Sequence, residues 1–504
     1  MRRHSMRAAL VALAMAAAPS SFAAKLITPG YLFNSDPTCR EIDGRFYLFA
    51  TQDPFTAVFR RPNDYFKGMY AYHAYSTTDF DNWVDHGSIL TSRDVGWSGG
   101  AALWDGDAGI PANGRFYAYA PFRMNAASEA NYGRFELGVF TADHLAGPYK
   151  DVFKGPMRAP DGKPIEGLSP YVIRGDDGRG YLMWGSGDTE KHEVFIAALK
   201  PNMTELAEAP RELRAPRHDA CGNLEYFESP VLLKAKGRWL LTWIAYKDDK
   251  GAKCDPKGSY VRYASADSMF GPFDQEPPRT LIYPSPGGAE SAQQGMCVYR
   301  GREYLAYHVP YDDVVPYADH HRQVAVTRLI SRPDGGFEPI HPETDRGVGT
   351  PGVSNLILDA FAPRREAAEF HVRSGVSGEK ALAGEHQMKM KAGGYLQFRR
   401  MDFGAGPSAF HVEFSAEAPG LEDTVLEVRL DSPAGPLLAS VPITATGGPT
   451  AYRIARIAVT AKARGVHDLA LVARGRGGDR DGHLFNITSF GFDAAANRKH
   501  RKGA

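Results

Sequence analysis

Gly44–Phe49 reads GRFYLF, and the phrase returns four times: GRFYAY from Gly114, GRGYLMW from Gly178, GRWLLTW from Gly237 and GREYLAY from Gly301. Each copy is a turn glycine followed by alternating aromatic and aliphatic residues, which reads as a strand. A short apolar run precedes every Gly-Arg, and a further strand and turn follow it. AGPYKD from Ala146, FGPFDQ from Phe270 and the related DFDNW from Asp79 mark three of those turns, and RPDGGF from Arg332 closes the fifth repeat. Roughly 60–70 residues per repeat, with four short strands in each, is the spacing of propeller blades. Five copies predict a five-bladed β-propeller over residues 25–347.

The composition agrees with an all-β chain. Among 504 residues there are 53 glycines and 35 prolines, a density that breaks long helices and favours strands joined by turns. Lys plus Arg equals Asp plus Glu at 59 each, so the basic excess expected of a nucleic-acid or anionic-membrane binder is missing. Arg2, Arg3 and Arg7 precede the apolar run AALVALAMAAA, which ends in a small-x-small pattern near Ser21-Phe22-Ala23. That is the pattern of a signal peptide over residues 1–23, and it predicts an exported protein, periplasmic or secreted. Four cysteines suit an oxidising compartment. Cys221 and Cys254 flank a strand pair and Cys39 and Cys297 occupy equivalent places in the repeat; stapled pairs and buried free thiols both remain open, and none has metal-binding spacing.

In a propeller the first strand of each blade lines the central channel, so the residues that open those strands converge. Counting back eight or nine positions from each repeat glycine gives Asp36, Asp105, Ser169, Glu228 and Ala292. Three carboxylates at one mouth repel each other and are costly to desolvate, which points to cation binding or acid–base chemistry. Asp36 and Ser169 directly precede prolines, and Glu228 precedes Ser229-Pro230.

These motifs carry a resemblance. NSDP from Asn34, LSPYVIRGDDGRGYLMWGSGD from Leu168, FESPVLLKAKGRWLLTWIAY from Phe227, YLAYH from Tyr304 and RQVAVTRLISRPDGG from Arg322 resemble, in order and over all five blades, glycoside hydrolase family 43. The resemblance implies a five-bladed propeller that hydrolyses arabinose- and xylose-containing plant polysaccharides with inversion, and it implies no cofactor. Asp36 matches the general base and Glu228 the general acid, with Tyr226 and Phe227 as apolar neighbours that raise the acid's pKa. The family places an Asp before the proline of its third blade, where it tunes the acid; here that residue is Ser169, which hydrogen-bonds but carries no charge. Asp105 and Asp107, which follow Trp104, are the substitutes in register, whereas Glu166 lies outside it. The alternative is a catalytically degenerate, carbohydrate-binding propeller. The resemblance further implies that His308 sits at the hub beside a cation or water and that Arg322 faces the pocket, holding sugar hydroxyls or a catalytic carboxylate. Trp104 is a candidate stacking wall and Phe227 a candidate substrate contact.

After residue 347 the repeat stops, and GVGTPGVSN reads as part of a linker over 348–364. Residues 365–495 alternate in short runs with frequent turns, which predicts a jelly-roll-like β-sandwich. VRLDSPAGPLLASVPITATGG from Val428, GVHDLALVARG from Gly465 and FNITSFGF from Phe485 resemble carbohydrate-binding module family 6. That implies a sugar face with Tyr395 and Asn486, weakened because Pro449 stands where a tryptophan is expected and Tyr452 lies three residues on. It also implies a structural calcium held by an early Glu pair, of which Glu369 matches one member and Ala367 stands at the other. Residues 496–504 are basic and read as a disordered tail. The expected partner is a plant cell-wall polysaccharide or its oligosaccharides.

Overall fold

The computed structural model describes residues 25–28, 33–53, 68–99, 102–124, 134–186, 191–247, 254–284, 294–310, 322–350, 354–380, 386–417, 421–460, 462–476 and 482–494. Residues 1–24, on which the signal-peptide expectation rests, Ala292 and the expected tail at 496–504 lie outside them. Blade 1 comprises β1 (Asn34–Ile42), β2 (Arg45–Gln52), β3 (Ala71–Thr77) and β4 (Asn82–Thr91). Blade 2 comprises β5 (Asp107–Ala112), β6 (Arg115–Met124), β7 (Arg134–Ala142) and β8 (Lys150–Asp151). Blade 3 is β9 (Gly167–Arg174), β10 (Gly180–Ser186), β11 (Val194–Ala198) and β12 (Arg211–Glu212). Blade 4 is β13 (Glu228–Ala235), β14 (Arg238–Lys247), β15 (Gly258–Ala266) and β16 (Arg279–Ile282). Among the described residues blade 5 shows three strands: β17 (Gln294–Tyr299), β18 (Arg302–Pro310) and β19 (Arg322–Arg328). Its outer position is taken by the chain's beginning, where Leu26 bridges to Ala325 and Ile27 N–H donates to the Val324 carbonyl. First and last blades are thus sewn together.

The repeat glycine has a conformational cause. Asp43 and Gly44 connect β1 to β2 with φ of +50° and +72°, the double left-handed geometry of a two-residue hairpin turn. Asn113-Gly114, Lys236-Gly237 and Arg300-Gly301 repeat it. Behind the turn, alternation sorts side chains between neighbours. Phe46, Leu48 and Ala50 of β2 pack with Cys297, Tyr304 and Ala306 of blade 5, whereas Phe49 packs with Ala118 and Phe122 of blade 2. Each buried Phe or Leu contributes about 1.5–3 kcal/mol.

All four cysteines pair, Cys39 with Cys297 and Cys221 with Cys254. The first pair clasps β1 to β17 at the ring closure and spans 258 residues of sequence. Replacing Cys39 and Cys297 together by Ser should lower unfolding free energy by about 2–5 kcal/mol, because the unfolded chain regains a long open loop. A denaturant midpoint within error of the parent would count against a stabilising clasp.

The stretch read as linker is partly a strand. β20 (Asn355–Asp359) pairs in parallel with β4 and, through its last residues, with β23 (His386–Asp402). One sheet therefore runs from blade 1 into the C-terminal sandwich. The rest of that sandwich is β21 (Arg365–Glu366), β22 (Val372–Lys380), β24 (Pro407–Ser415), β25 (Val425–Leu430), β26 (Leu437–Pro442), β27 (Arg453–Ala458), β28 (Val466–Arg474) and β29 (His483–Ala494). Its core is a continuous apolar cluster including Phe398, Phe410, Leu471 and Phe485. Charged side chains lock the seam. Arg365 donates to Asp85 (2.8 Å) and to Glu369 (3.0 Å), and Arg93 grips Glu413 through both terminal nitrogens at 2.7 and 2.9 Å.

Candidate active site

Three inner strands share one device. The β1–β2 ladder jumps between Ser35 and Thr38, the β9–β10 ladder between Leu168 and Tyr171, and the β13–β14 ladder between Glu228 and Val231. At each bulge the residue before proline is left-handed: Asp36 (φ +50°), Ser169 (φ +51°) and Ser229 (φ +57°). A non-glycine residue is sterically strained there, and strain repeated at one level of three blades marks a place where side chains are held for function. The side chains of Asp36, Asp105, Ser169 and Ser229 come together around a water-sized axial cavity of about 20 Å³.

Asp36 is buried and surrounded by donors. Arg322 Nη1 donates to its Oδ1 (3.0 Å) and Ser35 Oγ to its Oδ2 (3.0 Å). Burial alone raises its pKa, but the Arg322 charge, helped by the Ser35 hydrogen bond, outweighs that and holds it below the usual carboxylate range. Arg322 is itself fixed by Asp53, to which its backbone N–H, Nε and Nη2 all donate. His308 Nδ1 accepts the Asp36 backbone N–H, and burial lowers the imidazole pKa, so His308 is neutral with its proton on Nε2. Asp36 is therefore a carboxylate with its charge in place, the state a general base requires.

Across the axis the balance reverses. Asp105 is buried, accepts a hydrogen bond from Ser169 Oγ, and has no partner at Oδ1 among the described residues. Burial first, then the charges of Asp36 and Glu228, push its pKa well above the carboxylate range. Glu228 opens β13 and is half-buried. Tyr226 is buried beside these two carboxylates, and its hydroxyl likewise has no hydrogen-bond partner among the described residues. One ionised carboxylate thus shares the cavity with a second, Asp105, whose surroundings favour its neutral form.

Other expected residues fall elsewhere. Asp107 does not join the cavity: it binds Arg40 and the Val172 backbone N–H, stitching blade 2 to blades 1 and 3. Trp104 is a core residue rather than an open wall, packed with Met69, Phe135 and Leu168. Arg322 is committed to carboxylates rather than to sugar hydroxyls. Phe227 lies beside Glu228 with His192 (ring centroids 5.2 Å) and Tyr246 (6.2 Å), and the His192 ring shares a hydrogen bond with the Phe227 carbonyl. Asp53, His192 and Tyr246 carry no signal in the blade register, and only the TQD that ends the first GRFYLF strand hints at Asp53.

Residues 30–337 match the family model for Glycosyl hydrolases family 43. The chain belongs to that family. Residues 366–494 match Carbohydrate binding module (family 6). An arabinoxylan arabinofuranohydrolase of Bacillus subtilis is 25% identical over 91% of this chain and 90% of its own length. A xylosidase/arabinosidase of Bacteroides ovatus is 25% identical over 58% of this chain and 89% of its own. The crystal structure of a family 43 arabinoxylan arabinofuranohydrolase from Bacillus subtilis, in complex with cellotetraose, superposes with a TM-score of 0.52 at 22% identity, covering 94% of this chain and 99% of that one. The family 43 propeller is a glycoside hydrolase domain, and the sandwich is its family 6 module.

Among the described residues the module does not bring Tyr395, Tyr452 and Asn486 together as the open sugar face expected from its sequence. Asn486 is buried, and its amide donates to Ser415 Oγ and to the Pro449 carbonyl. Pro449 thus occupies the amide instead of offering a ring. Tyr452 lies under Arg93 of the propeller, 5.3 Å from guanidinium to ring, and donates to Gln387. Tyr395 is half-buried on β23 between Ser374 and Val472. Glu369 does not fit a calcium shell either. Its neighbours are Arg365, Asp85 and His73, so a guanidinium already stands where an oxygen-lined cation site would need more oxygens. Close by, His371 Nδ1 accepts the Arg399 backbone N–H, and burial with the charges of Arg365 and Arg399 brings its pKa down to about 3. Unfolded, it titrates near ~6.5. The unfolded chain therefore binds this proton first, and stability present above pH ~6.5 is lost as pH falls towards 3, by up to about 1.4 kcal/mol per pH unit. His371→Gln should flatten that slope in unfolding measurements at successive pH values; an unchanged slope would assign the pH dependence elsewhere.

Proposed function

We propose that the protein is an exported, inverting glycoside hydrolase that releases arabinose or xylose units from arabinoxylan-type plant polysaccharides or their oligosaccharides. The observation that carries the mechanism is Asp36, an ionised carboxylate fixed by Arg322, sharing one axial cavity with Asp105, whose carboxyl is pushed towards its neutral form. Asp36 takes a proton from a water molecule as that water attacks the anomeric carbon. Glu228 gives its proton to the departing glycosidic oxygen, and the bond breaks with inversion. The substrate class is supported by the names of the relatives aligned over both domains. Export is supported by the leader pattern and two disulfides. Balanced charge argues against a nucleic-acid partner, and no described helix is long and apolar enough to cross a membrane.

The test incubates the protein and its Glu228→Gln variant with aryl xylosides, aryl arabinofuranosides, arabinoxylan and arabinan, and follows released sugar by proton NMR. Release of one sugar with the inverted anomer appearing first, lost in the variant, is the expected result. A retained anomer would overturn the inverting mechanism. Binding of these glycans by both proteins without release would favour the carbohydrate-binding reading.

A further inference from the structure

Blades 1, 3 and 4 bring Asp36, Ser169 and Ser229 to the axis on the same proline-locked bulge. Only the first of these three is a carboxylate. Ser169 and Ser229 stand with their hydroxyls 3.4 Å apart, and Ser169 Oγ donates to Asp105 Oδ2, which arrives from the segment before β5. The approach needs Gly106, because a Cβ there would meet the Tyr119 carbonyl at 2.7 Å. Asp105 is 6% exposed, lines the cavity shared with Asp36, and keeps Oδ1 without a hydrogen-bond partner among the described residues.

We propose that Asp105, gripped by Ser169, is the third working carboxylate of the site, supplied from blade 2 rather than from the bulge of blade 3, and that it acts by facing Glu228 across the axis. The inference rests on the hydrolase reading above and deepens it. Asp36 from β1 and Ser169 from β9 line the cavity with Asp105, the Tyr72 hydroxyl from β3 donates to the carbonyl of Gly106 beside it, and Ser169 Oγ lies 3.4 Å from the hydroxyl of Ser229, the residue after Glu228, whose charge acts on Asp105. The Arg322 guanidinium is committed to Asp36 and Asp53, and that of Arg40 to Asp107. With Asp36 held ionised beside Arg322, its charge adds to burial and to the charge of Glu228, and Asp105 and Glu228 hold one proton between them over a pH range where isolated carboxyls hold none. That proton is the one Glu228 delivers to the leaving oxygen. Ser169 is a positioning residue: its hydroxyl fixes Asp105 Oδ2 and leaves Oδ1 for a hydroxyl of the bound sugar.

The deciding experiment compares the full chain with Asp105→Asn, Ser169→Ala, Ser169→Asp and the double variant Asp105→Asn/Ser169→Asp. It reads kcat against pH and, separately, the titration of carbon-13-labelled Asp and Glu carboxyls by NMR. Asp105→Asn is expected to lower kcat by roughly 10–100-fold and to move its basic limb down by about one pH unit, because Glu228 surrenders its proton more easily. Ser169→Ala should move the limb the same way by less. The double variant should regain at least tenfold of the lost kcat and return the limb upward. A uniform loss at every pH without rescue would mean a structural role and overturn the proposal, as would an unchanged profile. Should the parent release no sugar from any substrate, the hydrolase reading fails by itself. The Glu228 carboxyl titration then decides this proposal: a lower midpoint in Asp105→Asn upholds it, and an unchanged one overturns it.

Discussion

Asp36→Asn is expected to lower kcat on arabinoxylan-type substrates by about 10³–10⁴-fold while the protein still folds. The amide keeps the shape that Arg322 and Ser35 grip but cannot accept a proton from water, so nucleophile activation is lost. Glu228→Gln should cost a comparable factor on the same substrates for a different reason: the leaving oxygen departs unprotonated. The two are told apart by the leaving group. On a dinitrophenyl glycoside, whose phenolate leaves without help, the Glu228→Gln deficit should shrink to roughly tenfold, whereas the Asp36→Asn deficit should persist. The parent's acid limb provides a second check. Arg322 holds the Asp36 carboxyl below the usual range, so the ionised base survives until pH falls through that lowered value, and activity should persist below pH ~4 before it is lost. Equal deficits for both variants on the activated substrate would overturn the assignment of base and acid.

The blades were legible because their turns are chemically narrow. A two-residue hairpin at φ of +50° and +72° almost requires glycine second, and alternation after it is the period of a sheet with two buried faces. Asp36 and Glu228 were legible because proline follows each inner bulge. Counting from the turn glycine, however, does not see the bulge itself. The ladder puts Asp107, not Asp105, level with Glu228, yet Asp105 is the one whose side chain reaches Ser169. Asp53 was illegible as a functional residue because its meaning lies in a partner 269 residues away. β20 was hidden for a similar reason: five residues of NLILD hold no periodic signal strong enough to outweigh the glycines before them, and the strand exists because β4 and β23 offer it hydrogen bonds on both sides. The module's face was misread because stacking and amide positions can be aligned from sequence, whereas the Arg93 side chain that lies over Tyr452 belongs to the other domain.

Arg322→Met should be the most damaging substitution for stability. Its guanidinium is buried and is shared by Asp36 and Asp53, both buried as well, so its removal leaves two carboxyls with no countercharge. Breaking such an arrangement from one side costs about 3–5 kcal/mol, since the cost lies in the uncompensated charges left behind rather than in the hydrogen bonds that are broken. The stranded groups relieve that cost by binding protons, so the variant should be more nearly native at pH 5 than at pH 8, the opposite of an Asp36 held ionised. Adding Asp53→Asn removes one stranded charge while keeping a polar oxygen beside Ser35 Oγ, which lies 2.8 Å from Asp53 Oδ1. The double variant should therefore recover about half of the lost unfolding free energy. Turnover should not recover with it, because Asp36 still lacks the charge that keeps it ionised, and the acid limb of kcat should stand at higher pH than in the parent. Stability and activity, measured by denaturant unfolding and by the pH profile of sugar release, are thus expected to separate along this pair. If the second substitution restored both together, Arg322 would be acting through the fold alone, and the low pKa of Asp36 would need another cause.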